Sequence, residues 1–186
     1  MSSHTRVALV TGSNKGIGLA IVRELCRQFS GDVVLTARDV VRGQAAVKQL
    51  EAEGLSPRFH QLDINDLQSI RVLRDFLCKE YGGLDVLVNN AAIAPKTANP
   101  TPFHTQAEMM MKTNFVGTRD VCTELLPLIR PKGESEWIAT CPLPAKILGK
   151  QRVFSLKHRD SNLWSIAPGK LTLDHGVQWP WCLLLT

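Results

Sequence analysis

A chain of 186 residues is long enough for one domain with a sizeable core and short for two. With 44% hydrophobic and 21% charged residues it has the composition of a globular protein, and no apolar run approaches the length of a membrane span. Its net charge of +5 is spread along the chain without a basic block interleaved with aromatics, which argues against nucleic acid and for an anionic small molecule.

Residues 6–11 read as a strand and residues 17–29 as a helix with Ile17, Ala20, Ile21, Leu25 and Phe29 toward a core. Residues 33–37 form a second strand, and residues 44–53 a helix closed by Gly54 at its C-cap. A third strand is expected at 58–62. Asn65 or Asp66 then caps a helix carrying Leu67, Ile70, Leu73, Leu77 and Tyr81. Residues 84–88 make a fourth strand, followed by a long helical segment over about 106–129. Strands alternating with helices imply parallel pairing and an α/β, Rossmann-like doubly wound sheet. Cys26 and Cys122 lie in apolar helical patterns and read as small core residues. Five widely spaced cysteines without a CxxC pair suggest neither a metal site nor a disulfide framework.

The character of the chain changes after Gly133. All four tryptophans (Trp137, Trp164, Trp179 and Trp181) fall beyond it, and no apolar period survives more than a few residues. Residues 137–140 and 151–156 read as short strands and the rest as loop. The expected division is a dinucleotide-binding domain over 5–133 and a divergent tail over 134–186, with about four or five strands in the sheet. A fourth strand without neighbours beyond it would be an open apolar edge, so marginal stability and some self-association are expected. Residues 137–140 are the nearby segment fit to cover that edge. The N-terminal residues 1–6 show no hydrophobic signal region, and cytoplasm is the expected compartment.

The glycines after the first strand have separate physical tasks. Gly12 permits a sharp exit from the strand, Gly16 lets the backbone approach a pyrophosphate, and Gly18 lets the helix pack closely on the sheet. The loop Gly12, Ser13, Asn14, Lys15, Gly16, Ile17 and Gly18 thus leads into a helix whose N–H groups and dipole favour phosphate. At the end of the second strand Arg38 comes before Asp39. A guanidinium there suits the 2′-phosphate of NADP, with Lys15 reaching the same anion, whereas an acid would favour NAD. Asp63, with Ile64 beside it, is placed either to accept from the adenine amine or only to cap the next helix. Asn89 and Asn90 end the fourth strand beside the crevice, where asparagine can tie strand ends together and orient the loop, a structural role that does not exclude a cofactor role.

The pattern Thr11-Gly12-x-x-x-Gly16-x-Gly18, with Asn89-Asn90-Ala91-Ala92 and Asn114, resembles the short-chain dehydrogenase/reductases. The wording Val-Thr-Gly-Ser-Asn-Lys-Gly-Ile-Gly-Leu-Ala and Tyr81-Gly-Gly-Leu-Asp-Val-Leu-Val-Asn-Asn is similar to the monomeric NADPH carbonyl reductase branch, over about residues 5–133. The resemblance implies NADPH/NADP as cofactor and reduction of small-molecule ketones, aldehydes and quinones. It implies a tyrosine as proton donor, a lysine four residues on, a serine that polarises the carbonyl, and an asparagine in the proton relay. Asn114 matches the asparagine; its other reading is a helix-interrupting residue with local backbone bonds. The tyrosine–lysine pair is absent, because Tyr81 is the single tyrosine and is followed by Gly82-Gly83-Leu84-Asp85. Thr140 falls near the register of the serine, although Glu134 to Trp137 does not match the family's strand. Pro95, Lys96, Thr97 and Gln106 match positions bordering the branch's substrate surface; Lys96 reads either as a carboxylate-attracting group or as a solvated loop lysine. The chain thus resembles a reductase whose sequence gives way near Gly133 to an unrelated continuation, as alternative splicing produces. Little or no activity is expected, leaving an NADP(H)-binding fragment or an unstable product.

Overall fold

The computed structural model describes residues 5–95 and 100–130, together with the backbone of three later strands. Three short runs rich in Val, Leu and Ala form β1 (Val7–Val10), β2 (Asp32–Ala37) and β4 (Val86–Asn89), and the more polar Arg-Phe-His-Gln forms β3 (Arg58–Gln61). Between them lie α1 (Gly16–Gln28), α2 (Val40–Glu51) and α3 (Leu67–Tyr81). After β4 come α4 (Phe103–Met110), a π-helical segment Met111–Gly117 and α5 (Thr118–Leu125). The later strands are β5 (Glu136–Thr140), β6 (Val153–His158) and β7 (Trp164–Ala167).

The sheet order is β3-β2-β1-β4-β5-β6-β7. The pairings from β3 through β5 are parallel, so this part has the expected Rossmann-like character, but the whole sheet has seven strands where about four or five were expected. β6 and β7 extend it antiparallel. Only residues 137–140 and 151–156 read as strands in the tail, so β7 is an addition that the sequence pattern did not signal. The open edge feared at β4 is covered, with Val86 opposite Glu136 and Asn89 opposite Ala139. Residues 137–140 are thus the segment that closes it.

Alternation along β1 divides the core. Val7 and Leu9 join Val34, Leu87, Ile70, Leu73, Leu77 and Val121 on the α3/α5 face. Ala8 and Val10 join Leu19, Val22, Leu35, Ala46 and Leu50 on the α1/α2 face. Because successive strand side chains point to opposite faces, a strand covered on both sides must be apolar throughout, as β1 is. At the base of the sheet the carboxylate of buried Asp85 accepts the Val7 N–H at 2.8 Å and Arg130 Nη1 at 2.7 Å, which fixes the start of β4 against β1.

Helix details differ from the periodicity in instructive ways. Ile17 is half exposed and Ala20 exposed, while Leu19 and Val22 are buried, so the apolar stripe of α1 is rotated from the expected one. Leu67 is likewise exposed, although Ile70, Leu73, Leu77 and Tyr81 are buried as expected. α2 starts at Val40, four residues before the expected Gln44, because the Asp39 side chain accepts the Arg42 N–H at 2.9 Å and caps the helix. Gly54 does close α2: it has a φ of 78°, and Leu55 N–H returns to Leu50 O at 3.0 Å. Asp66, not Asn65, caps α3.

Tyr81 ends α3 at the edge of the sheet where the parallel strands begin. Its hydroxyl accepts from Arg58 Nη1 at 2.7 Å and donates to Asp32 Oδ2 at 2.8 Å. Burial and, next, the Asp32 contact push its pKa from 10 up to about 12. A folded-state pKa above the unfolded one stabilises the fold fully below pH 10, and that contribution is lost as pH rises from 10 through about 12. Tyr81→Phe is therefore expected to cost about 1 kcal/mol at neutral pH, the scale of a net hydrogen bond. It should also flatten the alkaline fall in stability and leave ligand affinity untouched. Urea melts of both chains across that range check this, and an alkaline limb unchanged in the variant would refute it.

Candidate functional site

Where the strand order turns back on itself, between the C-terminal ends of β1 and β4, an α/β sheet leaves a crevice for a ligand. The chain leaves β1 through Thr11 and Gly12 at that point. Gly12 has a φ of 61°, and a Cβ on it would lie 2.6 Å from Ala91 Cα, so the loop after β1 touches the loop after β4. Asn90 fastens the two. Its Nδ2 donates to Thr11 O and Gly12 O, both at 3.0 Å, and its N–H donates to Thr11 Oγ1 at 3.0 Å. Asn90 thus ties the two strand ends together.

Ser13, within the loop expected to hold the cofactor, turns its side chain inward. Its hydroxyl is fully buried, donates to Val10 O at 2.8 Å and accepts Thr36 N–H at 3.1 Å, joining the ends of β1 and β2. Asn14 is half-buried, while Lys15, Gly16 and Ile17 are exposed at the mouth of the crevice. Gly16 opens α1 with a φ of 58°, and a Cβ there would meet nothing within 4 Å. Gly18 is the opposite case, since its Cβ would lie 2.4 Å from Asn90 Nδ2 and 2.8 Å from Gly12 O. No side chain caps the N-terminus of α1. A helix start lying open beside a glycine with free space suits phosphate, through N–H groups and the helix dipole.

Arg38 and Lys15 are both exposed, and no ion pair among the described residues engages either side chain. Asp39 is occupied with the α2 cap and with Arg42 Nε at 3.6 Å. Gln61 Nε2 donates to Arg38 O at 3.3 Å and steadies that strand end. Asp63 is half-buried; its Oδ1 accepts Asn65 N–H at 2.9 Å, while the cap of α3 falls to Asp66. The helix-capping reading of Asp63 thus fails. Ile64 is buried in the core cluster beside α3 and α5.

Asn114 lies in the π-helical segment, and its amide grips Ile93 rather than its own helix. Ile93 N–H donates to Asn114 Oδ1 at 2.9 Å and Asn114 Nδ2 donates to Ile93 O at 2.8 Å, across 21 residues. The local-bond reading of Asn114 is corrected by this pairing, although the helix is interrupted there. Ile93 was not singled out in the sequence; its place directly after Asn89-Asn90-Ala91-Ala92 was the available signal. Ile93, Ala94, Pro95, Thr101, Gln106 and Met109 line a cavity of about 230 Å³, which brings Pro95 and Gln106 together. Gln106 Nε2 also donates to Thr101 O at 2.6 Å. Lys96 and Thr97 lie outside the described residues. Thr140 ends β5 one position beyond Ala139, the partner of Asn89, so its backbone reaches the same edge of the sheet. Cys26 is half-buried, with its thiol pushed up by burial, and Cys122 is buried; neither is in a disulfide.

A doubly wound sheet with a glycine loop and an open helix start at its switch point defines a dinucleotide-fold protein. The short chain dehydrogenase family model matches residues 6–141, and the chain belongs to that family. It is similar to human carbonyl reductase (NADPH) 1, at 84% identity over 133 residues, covering 72% of this chain and 48% of that protein. Human carbonyl reductase (NADPH) 3 is 76% identical over the same shares. The chain thus spans about half the length of the curated relatives it matches. Among solved structures, a metagenomic short-chain oxidoreductase in complex with NADP is 30% identical, with a TM-score of 0.57 over 66% of this chain and 56% of that one. Salutaridine reductase from Papaver somniferum is 31% identical, with a TM-score of 0.62 over 69% and 54%.

Proposed function

We propose that this chain is an NADP(H)-binding module of the carbonyl reductase type, cytoplasmic, with little or no turnover of its own. The observation that carries it is the charge arrangement around the glycine loop. Lys15 and Arg38 stand exposed and outside every described ion pair, while the neighbouring acid Asp39 is consumed in capping α2. The loop Gly12–Gly18 and the start of α1 would hold the pyrophosphate, Lys15 and Arg38 the 2′-phosphate, and Asp63 the adenine amine through its second oxygen. Ile64 shapes the wall behind it, and Asn90 holds the two loops at the spacing the cofactor needs. When bound, the dinucleotide supplies hydride. The similarity to carbonyl reductases supports a small-molecule carbonyl substrate, which we take to be a ketone, aldehyde or quinone, and the cavity beside Pro95 and Gln106 is the place for it in our reading. Residues 5–133 carry this function in our reading, with 134–186 a divergent tail that leaves some tendency to self-associate. No helix among the described residues is long and apolar enough to cross a membrane.

Cofactor choice tests the proposal. NADPH is expected to bind at least about tenfold more tightly than NADH, since one charge-assisted contact contributes roughly 1.5 kcal/mol. Arg38→Glu should reverse the order. Fluorescence titration of both nucleotides checks this, and equal affinities in the unmodified chain would overturn it.

A further inference from the structure

We propose that Thr113 is a positioning residue, whose hydrogen bond from Asn65 ties the loop after β3 to the π-helical turn that presents Asn114 to Ile93. Three contacts place it. Thr113 is buried, and Asn65 Nδ2 donates to its Oγ1 at 3.1 Å. One turn further on, Gly117 lies so close to the same loop that a Cβ would be 2.8 Å from Ile64 O and 3.1 Å from Ile64 Cγ1. The loop end is itself set by Asp63, whose Oδ1 accepts Asn65 N–H at 2.9 Å.

A π turn carries one residue more than an α turn and persists where outside contacts hold it. Here the contacts at Thr113 and Gly117 flank Asn114 on both sides along the segment Met111–Gly117. Asn114 can accept from Ile93 N–H and donate to Ile93 O together only if its backbone keeps that register. Ile93 in turn heads the wall of the cavity shared with Pro95 and Gln106. One chain of contacts therefore runs from Asp63 through Asn65, Thr113 and Asn114 to Ile93. Occupying the Asp63 end should steady the Ile93 end, because a ligand that orders one member lowers the cost of ordering the rest. This last step rests on the dinucleotide reading given above.

The Ile93 amide reports the clamp directly, since it donates to Asn114. Hydrogen exchange followed by NMR on the full chain is the measurement. Thr113→Val and the exposed Asn65→Ala are expected to speed Ile93 exchange by about five- to tenfold, the effect of losing one net hydrogen bond, with β1 and β2 amides unchanged. Thr113→Ser, which keeps the hydroxyl, should restore the original rate. Adenosine 2′,5′-bisphosphate, which lacks nicotinamide, should slow Ile93 exchange in the original chain and in Thr113→Ser but not in Thr113→Val. Unchanged Ile93 exchange in Thr113→Val would overturn the proposal. So would an equal acceleration of the β1 amides, which marks a role in general stability alone. If the bisphosphate fails to bind the original chain, the dinucleotide reading and the ligand-linked step fall. The ligand-free rates then decide the role of Thr113 by themselves.

Discussion

Menadione reduction by the purified 186-residue chain with NADPH is expected to stay at the level of a buffer control. The chemistry implied by the family needs a proton donor beside the carbonyl as hydride arrives, and a positioned general acid contributes about 10²–10⁴ in rate. The single tyrosine of the sequence is Tyr81, and two features disqualify it. Its hydroxyl lies between Arg58 and Asp32, the first residues of β3 and β2, whereas the glycine loop follows the far end of the parallel β1. Its pKa is also pushed up to about 12, away from the neutral range where a general acid works best. Asn114, whose amide is paired with the Ile93 backbone, cannot replace a donor of that kind. Tyr81→Phe should therefore show the same background as the original chain. Side-by-side assays with a full-length carbonyl reductase decide the matter. A rate within about a hundredfold of that enzyme would exceed what a missing acid allows. Thr140, at the edge of the sheet beside the end of β4, would then be the first residue to replace.

Strand identity was legible because burial on both faces leaves an apolar run between turns, as in residues 7–10 and 86–88. The glycine loop and the paired asparagines were legible for a similar reason: few residue types permit that backbone path. What stayed hidden depends on contacts between distant segments. The rotation of α1 is set by Gly18 resting on Asn90 and Gly12, which no helical period encodes. The early start of α2 turns on one Asp39 hydrogen bond ahead of two β-branched valines, residues of weak helix propensity. The π-helical segment has an ordinary helical sequence; the extra residue is sustained by Ile64, Asn65 and Ile93, far away in the chain. The hydroxyl of Ser13 serves as a buried join between β1 and β2, a role that depends on Thr36 far along the chain.

Gly18→Ala is expected to damage the fold through packing alone, since Gly18 has no positive φ to strain. The new methyl would stand 2.4 Å from Asn90 Nδ2, 2.8 Å from Gly12 O and 2.8 Å from Ser13 Cα. Two of those three neighbours are backbone atoms and cannot swing aside. The third is the amide that donates to Thr11 O and Gly12 O, so moving it breaks the two side-chain bonds by which Asn90 joins the β1 and β4 loops. Overpacking costs about 1–3 kcal/mol and each lost hydrogen bond about 1 kcal/mol, giving roughly 3–5 kcal/mol. That is a large share of the about 5–15 kcal/mol that holds an ordinary domain together. Gly16→Ala supplies the contrast. Its φ of 58° makes alanine strained by about 1–2 kcal/mol, yet the methyl would enter open space and touch no protein atom. The methyl would instead stand where the pyrophosphate must approach. Gly16→Ala should therefore melt only slightly earlier than the original chain while losing most of its NADPH affinity. Gly18→Ala should lose stability first and affinity as a consequence. Denaturant melts with and without NADPH separate the two. If Gly18→Ala proved as stable as Gly16→Ala, the tight packing of α1 on Asn90 would not be what holds the cradle in shape.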